Sequence, residues 1–142
     1  MSQKKLTPFE RLGGRPTIAR VIKIFYDKVF AHPWIGQYFR NIPQEHIENQ
    51  QVDFMSRSLN GPNMFSGRTP KDAHVHMVIN DELFDLRNRL LTEAMNEAKI
   101  PLDLQEIWLK IDEGFRGIIV KDASKAKGRW TTDPVLNFKK PA

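Results

Sequence analysis

The stretch PLDLQEIWLKIDEGFRGII, residues 101–119, decides the fold class. Its apolar residues Leu104, Ile107, Trp108, Ile111, Phe115, Ile118 and Ile119 recur at intervals of three and four, the spacing of one helix face. Pro101, Leu102 and Asp103 suit the opening of that helix. A strand would alternate apolar and polar residues at every second position, and no segment of the chain sustains that alternation.

The same period recurs toward the N-terminus. Asp81 is placed to cap a helix carrying Leu83, Phe84, Leu91 and Met95 on one side. Before it lies AHVHMVI, residues 73–79, too short to assign, led in by Thr69-Pro70-Lys71-Asp72, which reads as an N-cap with proline in the first turn. Pro43 opens another helix whose stripe is Ile47, Gln51, Phe54, Met55, Ser58 and Leu59, and Asn60-Gly61-Pro62 stops it. A turn holding Trp34, Ile35, Tyr38 and Phe39 precedes it. From Thr17, Ile18, Val21, Ile22, Phe25 and Val29 mark a helix that ends near His32-Pro33, since a residue before proline disfavours helical geometry. Gly13-Gly14-Arg15-Pro16 separates it from a short segment, Pro8–Leu12. The class is all-α, without internal repeats.

Composition narrows the chemistry. The 142 residues suit one domain with one core, and 40% hydrophobic content argues against disorder. There is no cysteine, so disulfides, thiolate metal sites and thiol nucleophiles are excluded. No apolar run approaches the ~20 residues that span a bilayer. Met-Ser-Gln-Lys-Lys at the start lacks a secretory apolar segment, and the expected location is cytoplasmic. The net charge of +5 is concentrated late: from Lys121 onward six lysines and arginines face two aspartates. The expected division is a folded domain over residues 1–120 and a basic, solvated C-terminal extension over 121–142, with nucleic acid disfavoured as a partner.

Three polar residues break the apolar stripes. Gln51 follows Ile47 by four residues, Tyr26 follows Ile22 by four, and Arg87 shares a face with Leu83, Phe84 and Leu91. A buried polar group needs a hydrogen-bond partner. Tyr26 and Gln51 therefore either satisfy protein groups or serve as donors to a ligand. Arg87 either snorkels or meets an anion such as a carboxylate. His74 and His76 are readable as surface or hydrogen-bonded residues, but a histidine facing an aromatic-lined space between helices is also how a protein holds haem iron. Two other readings stay open on the residues alone: a haem-free helical interaction module using the basic tail, and a His/carboxylate metal site, whose ligand spacing is poor.

The chain resembles the group I truncated haemoglobins, globins with a two-over-two helical sandwich. The resemblance runs from about Phe9 to Val120 and rests on the order of Phe9-Glu-Arg-Leu-Gly-Gly14, Phe25-Tyr26-Asp-Lys-Val29, Tyr38-Phe39, Gln51-Val-Asp-Phe54, Leu59-Asn-Gly-Pro62, Ser66-Gly-Arg-Thr69, Ala73-His74, Ile79 and Phe84. It implies that haem b is held by His74 as the proximal ligand, with Phe39 packed on the haem face. Tyr26 and Gln51 would be the distal donors, and Ile47 would make the gate over the iron apolar. Phe54, Ile79, Phe84 and Ile107 would complete the apolar walls. Gln50 stands where some cyanobacterial relatives carry an iron-coordinating histidine, which disfavours that coordination here, although His46 is nearby. Arg87 departs from the family's apolar residue and would reach a propionate. His76 would contact a propionate, support the ligand histidine or face solvent. The function so implied is reversible binding of dioxygen, nitric oxide and carbon monoxide, with oxygen storage or transport, or nitric oxide dioxygenation served by an unidentified reductase or electron donor.

Overall fold

The computed structural model describes residues 5–63, 65, 74, 76–121 and 135–141. The expected cap at Thr69–Asp72, the Ser66–Thr69 string and Ala73 lie outside the described residues.

Helix α1 (Pro8–Leu12) begins with a reciprocal cap: Thr7 Oγ1 accepts from the Glu10 amide at 3.2 Å, and Glu10 Oε1 accepts from the Thr7 amide at 3.1 Å. Gly13 and Gly14 then take φ values of 103° and 76°, a left-handed turn that side-chain-bearing residues adopt only at a cost. Helix α2 (Arg15–Ala31) starts two residues earlier than the apolar stripe, with Pro16 in its first turn, and ends at His32 as the following proline requires. A 3-10 turn, Ile35–Phe39, leads through Pro43 into α3 (Gln44–Ser58). Helix α4 spans Asp81–Glu97, α5 Leu102–Glu113, and a last single turn, α6, Arg116–Ile119. No helix among the described residues is long and apolar enough to cross a membrane.

The core is organised by α2, which packs against both α3 and α4, while α1 rests on α5. Ile18, Val21 and Val29 of α2 are fully buried, as are Leu91 and Met95 of α4 and Trp108 of α5. Burying side chains of this size stabilises a fold by about 1.5–3 kcal/mol each.

Four sequence expectations change. On α3 the deeply buried residues are Val52, Met55, Ser56 and Leu59, whereas Ile47, Gln51, Phe54 and Ser58 are half-buried. The ridge that meets α2 is thus rotated toward Val52 and Ser56, and Ser56 is tolerated inside because its hydroxyl donates to the Val52 carbonyl at 2.6 Å. Asn80, not Asp81, caps α4, its Oδ1 accepting from the Leu83 amide at 2.8 Å. The stripe of residues 101–119 is not one helix: it breaks at Gly114–Phe115, glycine being a weak helix former, and Ile118 is left 48% exposed. Finally, residues 135–141 fold back on the body through two residues, although the other five are exposed. Leu136 pairs with Met77 in an isolated parallel bridge, and Leu136 and Phe138 pack against the core.

Gly36 of the 3-10 turn fits because it has no side chain. A Cβ there would lie 2.8 Å from the Phe30 carbonyl oxygen and 2.9 Å from that of Val29, and neither backbone atom can give way cheaply. Gly36→Ala is expected to cost about 1–3 kcal/mol, read as a fall of about 3–10 °C in the thermal unfolding midpoint.

Candidate functional site

The site is built where α2, the 3-10 turn and α3 converge. Tyr26 is 5% exposed on α2 and sits in an aromatic cluster. Its ring meets Phe25 at 4.8 Å, Phe39 at 5.9 Å and Phe30 at 6.3 Å, all edge-on, and Phe30 and Phe39 lie 5.6 Å apart. Tyr26 and Phe39, thirteen positions apart in the chain, are therefore brought into direct contact. Phe30 belongs to the same cluster and escaped the sequence reading, although it lies four residues after Tyr26, one helical turn away.

From α3, Ile47 and Gln51 occupy successive turns of one face, and both are half-buried. Gln50 is half-buried beside them, and His46 is exposed. Phe54 meets Phe115 at 5.6 Å with the rings tilted and Phe65 edge-on at 5.2 Å. Phe39, Ile47, Phe54, Ile79 and Ile107 share one property: each packs on the core while leaving part of its surface uncovered. Such a set of apolar and aromatic residues is suited to take up a flat apolar group. Phe84 is different, buried to 4% with the Arg116 guanidinium 4.4 Å above its ring. Arg116 is anchored in turn by Asp81, Asp85 and Glu113, which raise its pKa.

His74 is half-buried, and its carbonyl accepts hydrogen bonds from Lys121 Nζ at 2.7 Å and from the Met77 amide at 3.0 Å. His76 is 6% exposed, so the solvent-facing alternative for it falls away. Among the described residues, no three His, Asp or Glu side chains converge as a cage for a bare metal ion. A half-buried His74 and the partly covered apolar residues above are of the kinds that would serve haem as ligand and as walls, so the residue types present fit that group.

Arg87 forms an ion pair within the protein. Its guanidinium donates to Asp112 at 2.6 Å and to Asn88 at 3.0 Å, and lies 5.3 Å from the centre of the Phe25 ring. Of the sequence alternatives, the carboxylate partner is the one realised. Burial opposes the charge on Arg87, yet the attraction and hydrogen bond of Asp112 outweigh it and raise its pKa. Asp112 itself went unnoticed, although it lies four residues after the fully buried Trp108, on the same face. This pair is also felt at Tyr26. Burial pushes the Tyr26 phenol well above its usual 10, with Arg87 lowering and Asp112 raising it.

Two predictions follow from this electrostatic arrangement. Removing one member of the pair strands the other, so Asp112→Ala should destabilise the fold by about 2–3 kcal/mol, less than a fully buried pair because Arg87 keeps some solvent contact. Adding Arg87→Met to that variant should recover part of the loss in chemical denaturation. The second concerns pH. The protein has two tyrosines, Tyr26 and Tyr38, and burial raises both above the ordinary 10. The folded state then holds these protons more tightly than the unfolded chain, so their contribution to stability is level below pH 10 and declines above it. Ultraviolet titration should find the Tyr26 phenol largely neutral at pH 10 while the fold persists, and the Tyr38 phenol more protonated there than in the unfolded chain.

With this geometry in place, comparison with known proteins identifies its relatives. The family model described as bacterial-like globin matches residues 7–120. A group 1 truncated haemoglobin of Tetrahymena thermophila is 37% identical over 98 residues, covering 69% of this chain and 81% of that protein. The Fe(III) form of the truncated haemoglobin of Tetrahymena pyriformis superimposes with a TM-score of 0.77 at 27% identity, over 82% of this chain and 100% of that one. The group II truncated haemoglobin of Bacillus anthracis, at 21% identity, shares the fold with a TM-score of 0.78 over 84% of this chain and 95% of its own.

Proposed function

The chain belongs to the bacterial-like globin family and carries its haem-binding two-over-two fold, and on that footing we propose that it holds haem b through His74 and binds dioxygen, nitric oxide and carbon monoxide reversibly. The observation that carries the reading is a buried phenol, Tyr26, within a cluster of phenylalanines that includes Phe39. When bound, haem would supply an iron centre able to take up a diatomic gas.

The chain's own residues supply the rest. His74 ligates through a neutral imidazole nitrogen. Phe39, Ile47, Phe54, Ile79, Phe84 and Ile107 exclude water and so protect the reduced state. Tyr26 keeps its proton on Oη well past neutral pH, because burial penalises the phenolate, and so retains an O–H to donate there. Gln51 offers its side-chain amide as the second donor. Preorganised donors of this kind stabilise negative charge where it accumulates on a bound ligand. Ile47 has no proton to give or take, which disfavours peroxidase chemistry. With Gln50 on α3 and His46 exposed, α3 offers no buried histidine as a sixth ligand.

Within that frame, oxygen storage or transport and detoxification of nitric oxide by dioxygenation both fit. The second calls for an external reductase or electron donor, and a cytoplasmic setting suits it. In this reading residues 1–120 form the globin unit and 121–142 an extension of it.

An absorption spectrum of the haem-loaded protein tests the central point. An intense Soret band that moves on reduction and carbon monoxide addition is expected, weakened in His74→Ala and kept in His76→Ala. Failure to take up haem would overturn the proposal. Stopped-flow oxygen release should quicken roughly tenfold in Tyr26→Phe, the equivalent of about one hydrogen bond to a charged partner, and an unchanged rate would remove Tyr26 from the role of donor.

A further inference from the structure

The segment 135–141 returns to the globin body alongside the residues just beyond His74. The Leu136 amide donates to the His76 carbonyl at 2.8 Å, and the Val78 amide donates to the Leu136 carbonyl at 2.8 Å, so the chain just past His74 is bonded along its edge. Tyr38 then joins the two segments. Its hydroxyl donates to the Val78 carbonyl at 2.8 Å and accepts from the Phe138 amide at 3.2 Å, while its ring meets Phe138 edge-on at 5.0 Å. Trp34 donates from Nε1 to the Phe138 carbonyl at 2.8 Å, and Lys140 forms an ion pair with Glu82. On the other side, the Lys121 amide donates to the Ile79 carbonyl at 3.0 Å and Lys121 Nζ to the His74 carbonyl.

These bonds do more than tack down an end of the chain. Tyr38 is 4% exposed and adjoins Phe39, and Trp34 opens the same turn. The strap therefore links the turn that carries Phe39 to the residues that follow His74, two parts of the site with no covalent connection nearer than 35 residues by number. Each donor and acceptor is directional, and each is at a distance of 2.8–3.2 Å. A histidine whose flanking backbone is held in this way has its imidazole position set by groups that touch neither haem nor gas.

We propose that residues 135–141 are a strap that positions His74 toward haem iron, with Tyr38 as the positioning residue that couples strap, turn and histidine segment; this rests on the assignment of His74 made above. The strap sets how firmly haem is retained and how strongly the iron is held from the histidine side.

The test uses the full chain loaded with haem in the reduced, gas-free state. Resonance Raman spectroscopy reads the iron–histidine stretching band, and transfer of haem to an acceptor apoprotein reads its release. Tyr38→Phe keeps the ring and loses both hydroxyl bonds; Leu136→Pro loses the amide that bonds to His76; Leu136→Ile keeps that amide. Tyr38→Phe and Leu136→Pro should each shift or broaden the band and release haem roughly fivefold faster, on the order of one net hydrogen bond, with Leu136→Ile matching the parent protein. An unmoved band in Tyr38→Phe, with haem release within about twofold of the parent, overturns the strap's role even if Leu136→Pro does not fold. A parent protein with no such band, or one that survives in His74→Ala, instead overturns the assignment of His74. The two failures are thus distinguishable.

Discussion

Helix α2 has to be buried on more than one side at once. Its apolar residues Ile18, Val21, Ile22, Phe25 and Val29 lie within the core, with α3 against one flank and α4 against another. Its register is thereby set by packing at interior density, where a shift of even a methylene is felt. Tyr26 rides on this helix and inherits that rigidity. Its hydroxyl is carried on a helix that cannot rotate without opening the core, and its ring is wedged among Phe25, Phe30 and Phe39. A donor meant to meet partial negative charge works best when it need not reorganise.

The same burial creates an electrostatic problem that the chain resolves with the Arg87–Asp112 pair. Asp112 retains 7% of its side-chain exposure and Arg87 24%, so the pair is largely out of water and each charge depends on the other. The pair joins α4 to α5, and its guanidinium also rests against Phe25, the residue next to Tyr26. Because the two charges act on the phenol in opposite senses, they leave burial as the dominant influence on its proton. Phe84 lies under a second cation, Arg116, whose three carboxylate neighbours hold it in place at the surface. The two arginines thus do different things: one joins α4 to α5 through a largely buried carboxylate, the other gathers three exposed carboxylates.

Legibility in the sequence followed the range of the interaction. The helix ends at His32-Pro33 and Asn60-Gly61, the short first helix and the helices themselves were readable, because proline, glycine and apolar period act over a few residues. The resemblance likewise pointed to the fold and family that comparison bears out. The rotation of the α3 face toward Val52 and Ser56 was not readable, since the stripe alone does not say which of its flanks meets α2. Nor was the break at Gly114, where the period continues through Phe115 and Ile119 but the helix does not.

The long-range pairings were out of reach for a physical reason: their partners share no local pattern. Nothing in the residues around Asp112 announces Arg87, twenty-five positions earlier, and the basic character of residues 121–142 points to solvent when it is summed as charge. Leu136 and Phe138 are two apolar residues in that stretch, and only the folded backbone shows that the Met77 bridge and the Tyr38 hydroxyl are there to receive them. The amino-acid sequence by itself determined an all-α chain, the helix ends marked by proline and glycine at His32-Pro33 and Asn60-Gly61, and the residues able to act as donors, because those depend on local conformational preference and side-chain chemistry. Tertiary structure decided which polar groups are neutralised inside and where the chain folds back beyond His74, because burial and hydrogen-bond distance exist only once distant segments have met.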